Sequence, residues 1–162
     1  MYGRVVIRRF VDSDGPWVVA QHGQLYARDD GFDASFGTLV ARIVADFIAN
    51  HDSEYEAGWV AERDGAPMGC IFCVRLDAQT AKLRMFLVLL EARGSGLGAQ
   101  LLDTCMAFAR VAGYRRMQLW THESHRAACA LYAKRGWSLT DSRPVHSFGC
   151  DLVEQSWEIA LQ

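Results

Sequence analysis

Leu87-Val88-Leu89-Leu90-Glu91-Ala92-Arg93-Gly94-Ser95-Gly96-Leu97-Gly98 decides how the rest of this 162-residue chain is read. An apolar, strand-like run breaks into a basic, glycine-rich turn. It resumes at once as a helix with Leu97, Leu101, Leu102, Cys105, Phe108 and Ala109 on one apolar side. The first N–H groups of a helix have no partner within it, and the helix dipole favours negative charge there. Glycines let those amides approach a phosphate with no Cβ in the way. The stretch therefore predicts an anion site of the strand–turn–helix kind, suited to a phosphorylated ligand.

Two familiar phosphate loops fit it poorly. A nucleoside-triphosphate loop requires Gly-Lys-Ser/Thr at its end, and no lysine follows Gly98. A dinucleotide fingerprint matches loosely, as Gly94-x-Gly96-x-x-Ala99 with Glu123 beyond the next strand. That fingerprint opens a βαβ unit with further parallel strands downstream, whereas here hairpin-like strands precede the loop and only a short tail follows.

Working outward, residues 4–10 alternate as a strand. Residues 17–28 read as a helix with an interior Gly23, broken by Asp30-Gly31. Asp33 caps a longer helix whose Phe36, Leu39, Val40, Ile43, Val44, Phe47 and Ile48 recur at helical spacing. Strands follow at 59–62 and 68–76 around an Asp64-Gly65 hairpin turn, then at 82–90. The helix behind the glycine turn ends at Gly113, a left-handed cap. A strand at 117–121, a helix at 125–135 closed by Gly136, and strands at 137–141 and 155–161 complete the order β-α-α-β-β-β-α-β-α-β-β, with a loop expected at 144–150.

The second half of the chain adds to the loop. Arg93-Gly94-Ser95-Gly96-Leu97-Gly98 has the Arg/Gln-x-x-Gly-x-Gly/Ala form of the pyrophosphate loop in the GNAT family of N-acetyltransferases. Ala128, Leu131-Tyr132 and Gly136-Trp137 resemble that family's A-x-x-LY-x-x-x-GF helix, with Trp in place of Phe. The order and spacing of the two motifs are also similar to the family's, and the resemblance extends over nearly the whole chain. His146-Ser147-Phe148-Gly149 with Gln155-x-Trp157, and Trp17-Val18-Val19, His22-Gly23 and Leu25-Tyr26 near the start, resemble the acetyltransferase half of proteins that fuse a MarR-type regulator to such a domain.

The resemblance implies an α/β fold in one domain over residues 1–162. Its central twisted mixed sheet would have about seven strands, with the fourth and fifth parallel and splayed, and about four helices. It implies acetyl-CoA as co-substrate and direct transfer of acetyl to a primary amine of a small molecule or peptide. The alternatives are a non-catalytic acyl-CoA-binding regulatory module and a dinucleotide-dependent reductase. Arg93, Gly94, Ser95, Gly96, Leu97 and Gly98 would hold the pyrophosphate, and Val88, Leu89 and Leu90 the pantetheine arm. A backbone N–H of Val88 or Leu89 would steady the oxyanion. Tyr132 would protonate the departing thiolate, or else be a core residue beside Leu131 and Ala128. His125 stands where many members carry Asn, and it and Tyr132 would also contact the cofactor. No glutamate occupies the usual position of the general base, leaving His122 or water for that task. Trp17, His22, Tyr26, Phe32, His146 and Phe148 would face the acceptor, although Trp17 and Phe32 equally suit core packing. A homodimer is a possible assembly.

Composition narrows the partners. Just over half the residues are hydrophobic, and the net charge of −2 leaves no basic surplus for a nucleic-acid backbone. The longest apolar run, residues 85–90, is too short to span a bilayer. Met1-Tyr2-Gly3-Arg4 runs into a strand without the apolar core of a signal peptide, so a cytoplasmic location is expected. Five cysteines, an odd number, argue against a disulfide framework. Cys70-x-x-Cys73 lacks a second ligand pair, so no metal is expected and both thiols read as buried.

Overall fold

A computed structural model describes residues 4–161; the expectation for Met1-Tyr2-Gly3 lies outside them. Seven strands form one mixed sheet in the order β1-β2-β3-β4-β5-β7-β6. They are β1 (Val5–Arg9), β2 (Ala57–Arg63), β3 (Ala66–Arg75), β4 (Thr80–Val88), β5 (Arg116–His122), β6 (Ser138–Ser147) and β7 (Cys150–Ala160). The helices are α1 (Gly15–Asp30), α2 (Ala34–Asn50), α3 (Leu97–Ala112) and α4 (Arg126–Lys134), in the predicted order. No described helix is long and apolar enough to cross a membrane.

The chain divides into two compact units. The first comprises residues 4–10, 52–118 and 160–161. Its strands β1 to β4 are antiparallel, and α3 packs on β3 and β4. Trp59, Val60, Ala61, Ile71, Phe72, Leu101, Leu102 and Met117 are buried there, as are Cys70 and Cys73. Asp64 and Gly65 carry the β2–β3 turn at φ 52° and 82°, the left-handed pair that matches strand twist. β4 is not a plain strand. Its register with β3 slips between Cys70 and Phe72, Met85 lies opposite the slip at φ 52°, and the Cys70 thiol donates to the Met85 carbonyl at 3.3 Å. This bulge bends the strand before it reaches the glycine turn. The strand stops at Val88, so Leu89 and Leu90, expected within it, lie beyond it, and Leu90 opens a single 3-10 turn ending at Ala92.

The second unit comprises residues 11–51 and 119–159. Val18 and Leu25 of α1 and Val40, Val44 and Phe47 of α2 are buried. Asp33 caps α2 as expected, its carboxylate accepting from the Ser35 N–H at 3.0 Å. The expected loop at 144–150 is a correction. β6 and β7 pair from Ser138 to Ser147 with one slip of register between Leu139 and Asp141, and only Phe148-Gly149 turns, at φ 55° and 77°. Pro144 is tolerated because β6 is an edge strand, where a missing N–H costs no inner ladder bond.

Gly58 makes a sharp test of this packing. A Cβ there would lie 2.4 Å from the Phe72 ring, which also meets Phe10 edge-on at 5.0 Å. Gly58→Ala is expected to cost about 2 kcal/mol or more by overpacking. Gly37→Ala, in open space on α2, should instead be neutral or stabilise by up to about 1 kcal/mol. Urea melts of both variants check the contrast.

Candidate functional site

Two groups of residues carry the candidate chemistry, one in each unit. In the first unit the glycine turn leads into α3. Gly94 and Gly96 adopt φ 81° and 82°, and a Cβ on either would meet nothing within 4 Å. Gly96 is the N-cap of α3, no side chain caps that helix, and its first intrahelical donor is Gln100, to the Gly96 carbonyl at 3.1 Å. The N–H groups of Leu97, Gly98 and Ala99 therefore precede the helical ladder, as an anion site requires. Ser95 turns its hydroxyl back to the Ala92 carbonyl. The Arg93 Nε donates to the Val88 carbonyl at 3.3 Å, which ties the arginine to the end of β4.

Backbone alternation separates Val88 from Leu89. The Leu89 N–H is spent on the Met68 carbonyl at 2.8 Å. Residues in an antiparallel pair alternate between bonded and non-bonded positions, and Val88 stands opposite Gly69, one step from that bond. The Val88 N–H thus points away from β3. Of the two donors the sequence offered, only Val88 has a free direction.

In the second unit, rings from α1, the α1–α2 turn, α2, β5, the β5–α4 turn and the β6–β7 turn meet in one cluster. Tyr26 stacks on His125 at 4.8 Å and meets Phe32, Phe36 and the edge of His22. Phe32 in turn meets His122 at 5.6 Å and Phe148 at 4.9 Å. Phe148 is a bulky residue held in the left-handed region; Phe32 and Phe36 hold its ring, and its carbonyl accepts from the Asp33 N–H at 2.9 Å. Four of the six expected acceptor residues, His22, Tyr26, Phe32 and Phe148, are brought together here. They pack on one another, so much of their surface is spent on core contacts. Trp17 is half-buried outside the ring cluster, and His146 is exposed and pairs with Asp151 at 2.9 Å.

Sequence reading missed Asp30. Its carboxylate accepts from the His125 Nε2 at 3.0 Å and from the Ser124 hydroxyl at 2.9 Å, and its side chain is only 7% exposed. With the proton on Nε2, the His125 Nδ1 accepts from the Thr121 hydroxyl at 3.2 Å. Both nitrogens of His125 are therefore engaged, which makes it a strut of the β5–α4 turn. His122 differs: its Nδ1 is buried without a partner, and burial, with His125 nearby, holds its pKa below the ordinary histidine value. Tyr132 is buried on α4 against Trp137 at 5.6 Å and Trp157 at 6.0 Å. Among the described residues no group of three or more His, Cys, Asp or Glu side chains is arranged for a metal ion.

The model of the Acetyltransferase (GNAT) family matches residues 18–137, a span that contains both the glycine turn and Tyr132. The chain belongs to the GNAT family. It is 31% identical over 106 residues to N-acetyltransferase family 8 member 3 of Rattus norvegicus, covering 62% of this chain and 45% of that protein. It is 30% identical over 92 residues to the 5-NmdU N-acetyltransferase of Pseudomonas phage PaMx11, covering 54% of this chain and 63% of that one. The chain spans less than two thirds of the length of these curated relatives. Among solved GNAT-like folds, an N-acetyltransferase from Staphylococcus aureus Mu50 superposes with a TM-score of 0.83 at 19% identity, covering 98% of this chain and 99% of that one. Salmonella typhimurium yncA, solved with acetyl-CoA, gives 0.81 at 18%, covering 98% and 94%. At such identity the likeness establishes the fold: a GNAT sheet in which β4 and β5 are parallel.

In this GNAT chain His22 is the most acid-sensitive group of the ring cluster. It is 2% exposed, its Nδ1–H donates to the Val18 carbonyl at 2.8 Å, and its Nε2 has no partner. Burial pushes its pKa down to about 4 from 6.5. The folded-state value lies below the unfolded one, so stability is complete above pH 6.5 and falls as the unfolded chain alone takes up the proton. Relative to His22→Gln, the native protein should lose about 3 kcal/mol between pH 7 and pH 4, two-thirds or more of it below pH 6. Urea melts across that range measure the difference; parallel pH profiles for the two proteins would contradict it.

Proposed function

We propose that the chain is an acetyl-CoA-dependent N-acetyltransferase, one catalytic domain acting in the cytoplasm, that moves acetyl directly to a primary amine of a small molecule or peptide. The observation that carries this reading is the uncapped N-terminus of α3 behind two left-handed glycines, in a chain of the GNAT family. The N–H groups of Leu97, Gly98 and Ala99 are the proposed donors to the pyrophosphate, and the α3 dipole and Arg93 add positive potential. Nothing in the loop obstructs that fit, since both glycines leave open space where a phosphate would sit.

The bound thioester supplies an activated acyl group; the protein supplies the rest. Val88, with its N–H turned away from β3, donates to the carbonyl oxygen as negative charge builds there. The amine nitrogen forms the new C–N bond, the C–S bond breaks, and two protons move. His122, kept unprotonated at neutral pH by its burial, accepts the proton shed by the amine, directly or through a water. Tyr132 delivers its phenolic proton to the departing thiolate. An acyl-cysteine route is disfavoured. Cys70, Cys73 and Cys105 are fully buried, and burial raises the thiol pKa of Cys129 on the helix of Tyr132.

Acetyl-CoA and CoA are expected to raise the melting temperature by binding the native state, whereas NAD and ATP should not. Gly96→Asp puts a negative charge into the loop and should abolish the shift. Equal stabilisation by NAD would overturn the reading in favour of a dinucleotide enzyme. Thiol release with a panel of amines then separates an enzyme from the second reading, a non-catalytic acyl-CoA-binding module. That second reading draws on the likeness to regulator fusions and predicts binding without turnover. For an active enzyme, Tyr132→Phe should lower kcat by roughly 10²–10⁴-fold with CoA affinity preserved. Normal turnover would return Tyr132 to the core.

A further inference from the structure

The rings expected to face the acceptor pack largely on each other, which leaves open where an amine would enter the second unit. A groove of about 850 Å³ runs along the β5–α4 turn and the β6–β7 hairpin. Of the six residues expected at the acceptor, only His146 lines it. We propose that this groove takes the acceptor, and that the acceptor carries a carboxylate beside its amine: an α-amino acid or a close analogue with an apolar side chain. This rests on the acetyl-transfer reading above.

The charges of the groove make the case. Four charged or ionisable side chains line it: Glu123, Arg126, His146 and Asp151. His146 and Asp151 satisfy each other at 2.9 Å. Glu123 and Arg126, one of each sign, make no ion pair or side-chain hydrogen bond among the described residues. They stand three residues apart in the chain at the β5–α4 turn and line the same groove, where they offer a partner to each charge of a zwitterion.

The turn is a built element rather than a loose loop. The Glu123 N–H donates to the Val153 carbonyl at 2.9 Å, Ser124 and His125 both bond to the buried Asp30, and the His125 N–H closes on the His122 carbonyl at 3.0 Å. Arg126 is also the first residue of α4, a nine-residue helix whose N-cap supplies no side-chain bond. A carboxylate at Arg126 would therefore meet a guanidinium and the positive end of a helix together. Pro144, Val145, Leu152 and Val153 of the hairpin add apolar lining for the rest of the molecule. The assigned roles follow: Arg126 takes the carboxylate, and Glu123 takes the ammonium before a proton is lost.

The test compares each of the common amino acids with the amine left by removing its carboxylate, for instance leucine with 3-methylbutylamine and phenylalanine with 2-phenylethylamine. The wild-type protein should favour the best amino acid over its partner amine by at least tenfold in kcat/KM. Arg126→Gln should collapse that ratio by raising KM for the amino acid, with Arg126→Lys restoring part of it. Glu123→Gln should raise KM for both members of a pair. A structural lesion would move both members of a pair alike in the arginine variants, so a constant ratio overturns the inference. Equal use of both members by the wild-type protein overturns it as well, while leaving acetyl transfer intact. Failure to acetylate any amine despite CoA binding overturns both.

Discussion

The parallel ladder between β4 and β5 pairs Thr80–Arg116, Ala81–Met117 and Lys82–Gln118, and the arrangement of the first unit depends on how it starts. At its start the two strands are clamped. The Gln79 carbonyl accepts from the N–H groups of Arg115 and Arg116, and Arg116 also reaches the hydroxyl of Thr80, a polar residue only 1% exposed. Beyond that clamp β4 bends at the bulge of Met85 and ends at Val88, whose N–H turns away from β3, immediately before the turn that leads to the uncapped helix. The proposed oxyanion donor and the proposed phosphate loop both follow from where β4 bends and ends.

Much of this was legible in the residues because the signals are local. Gly94, Gly96, Gly113, Gly31 and the Asp64-Gly65 turn all take the left-handed conformations their residue types favour, and Asp33 caps the helix it precedes. Periodicity then fixes helix against strand between these marks, and the element order follows. The end of β4 was less legible. Leu87, Val88, Leu89 and Leu90 look alike in sequence, and only the register against β3 decides which amide is spent and which is free.

The β6–β7 hairpin and Asp30 escaped for a different reason. β6 is an edge strand, largely exposed, with Asp141, Ser142, Arg143 and Pro144 in its middle, so it carries none of the alternation that marks a half-buried strand. Its pairing is imposed by β7, the other arm of the hairpin, and by the anchoring of Phe148 over Phe32 and Phe36, more than a hundred residues away in the chain. Asp30 is equally non-local. In sequence it is half of a helix-ending Asp-Gly pair; in space it is the anchor of a turn 94 and 95 residues away. A carboxylate at the negative end of a helix is poorly placed by the dipole, and the two donors from Ser124 and His125 offset that cost.

That anchoring divides the labour among three histidines. His22 is sealed neutral in the core and serves packing. His125 spends both nitrogens on Asp30 and Thr121, and so can orient the start of α4 without taking part in proton transfer. His122 keeps an unengaged nitrogen and an imidazole that burial holds unprotonated at neutral pH. The nearby His125 disfavours protonation of His122 further, whereas Glu154 and, to a lesser degree, Asp30 pull the other way. The carboxylate that positions the turn therefore also moderates the basicity of the neighbouring ring. The base role proposed for His122 calls for that compromise: desolvation that disfavours the protonated ring before the reaction, and nearby negative charge that holds the proton once it arrives.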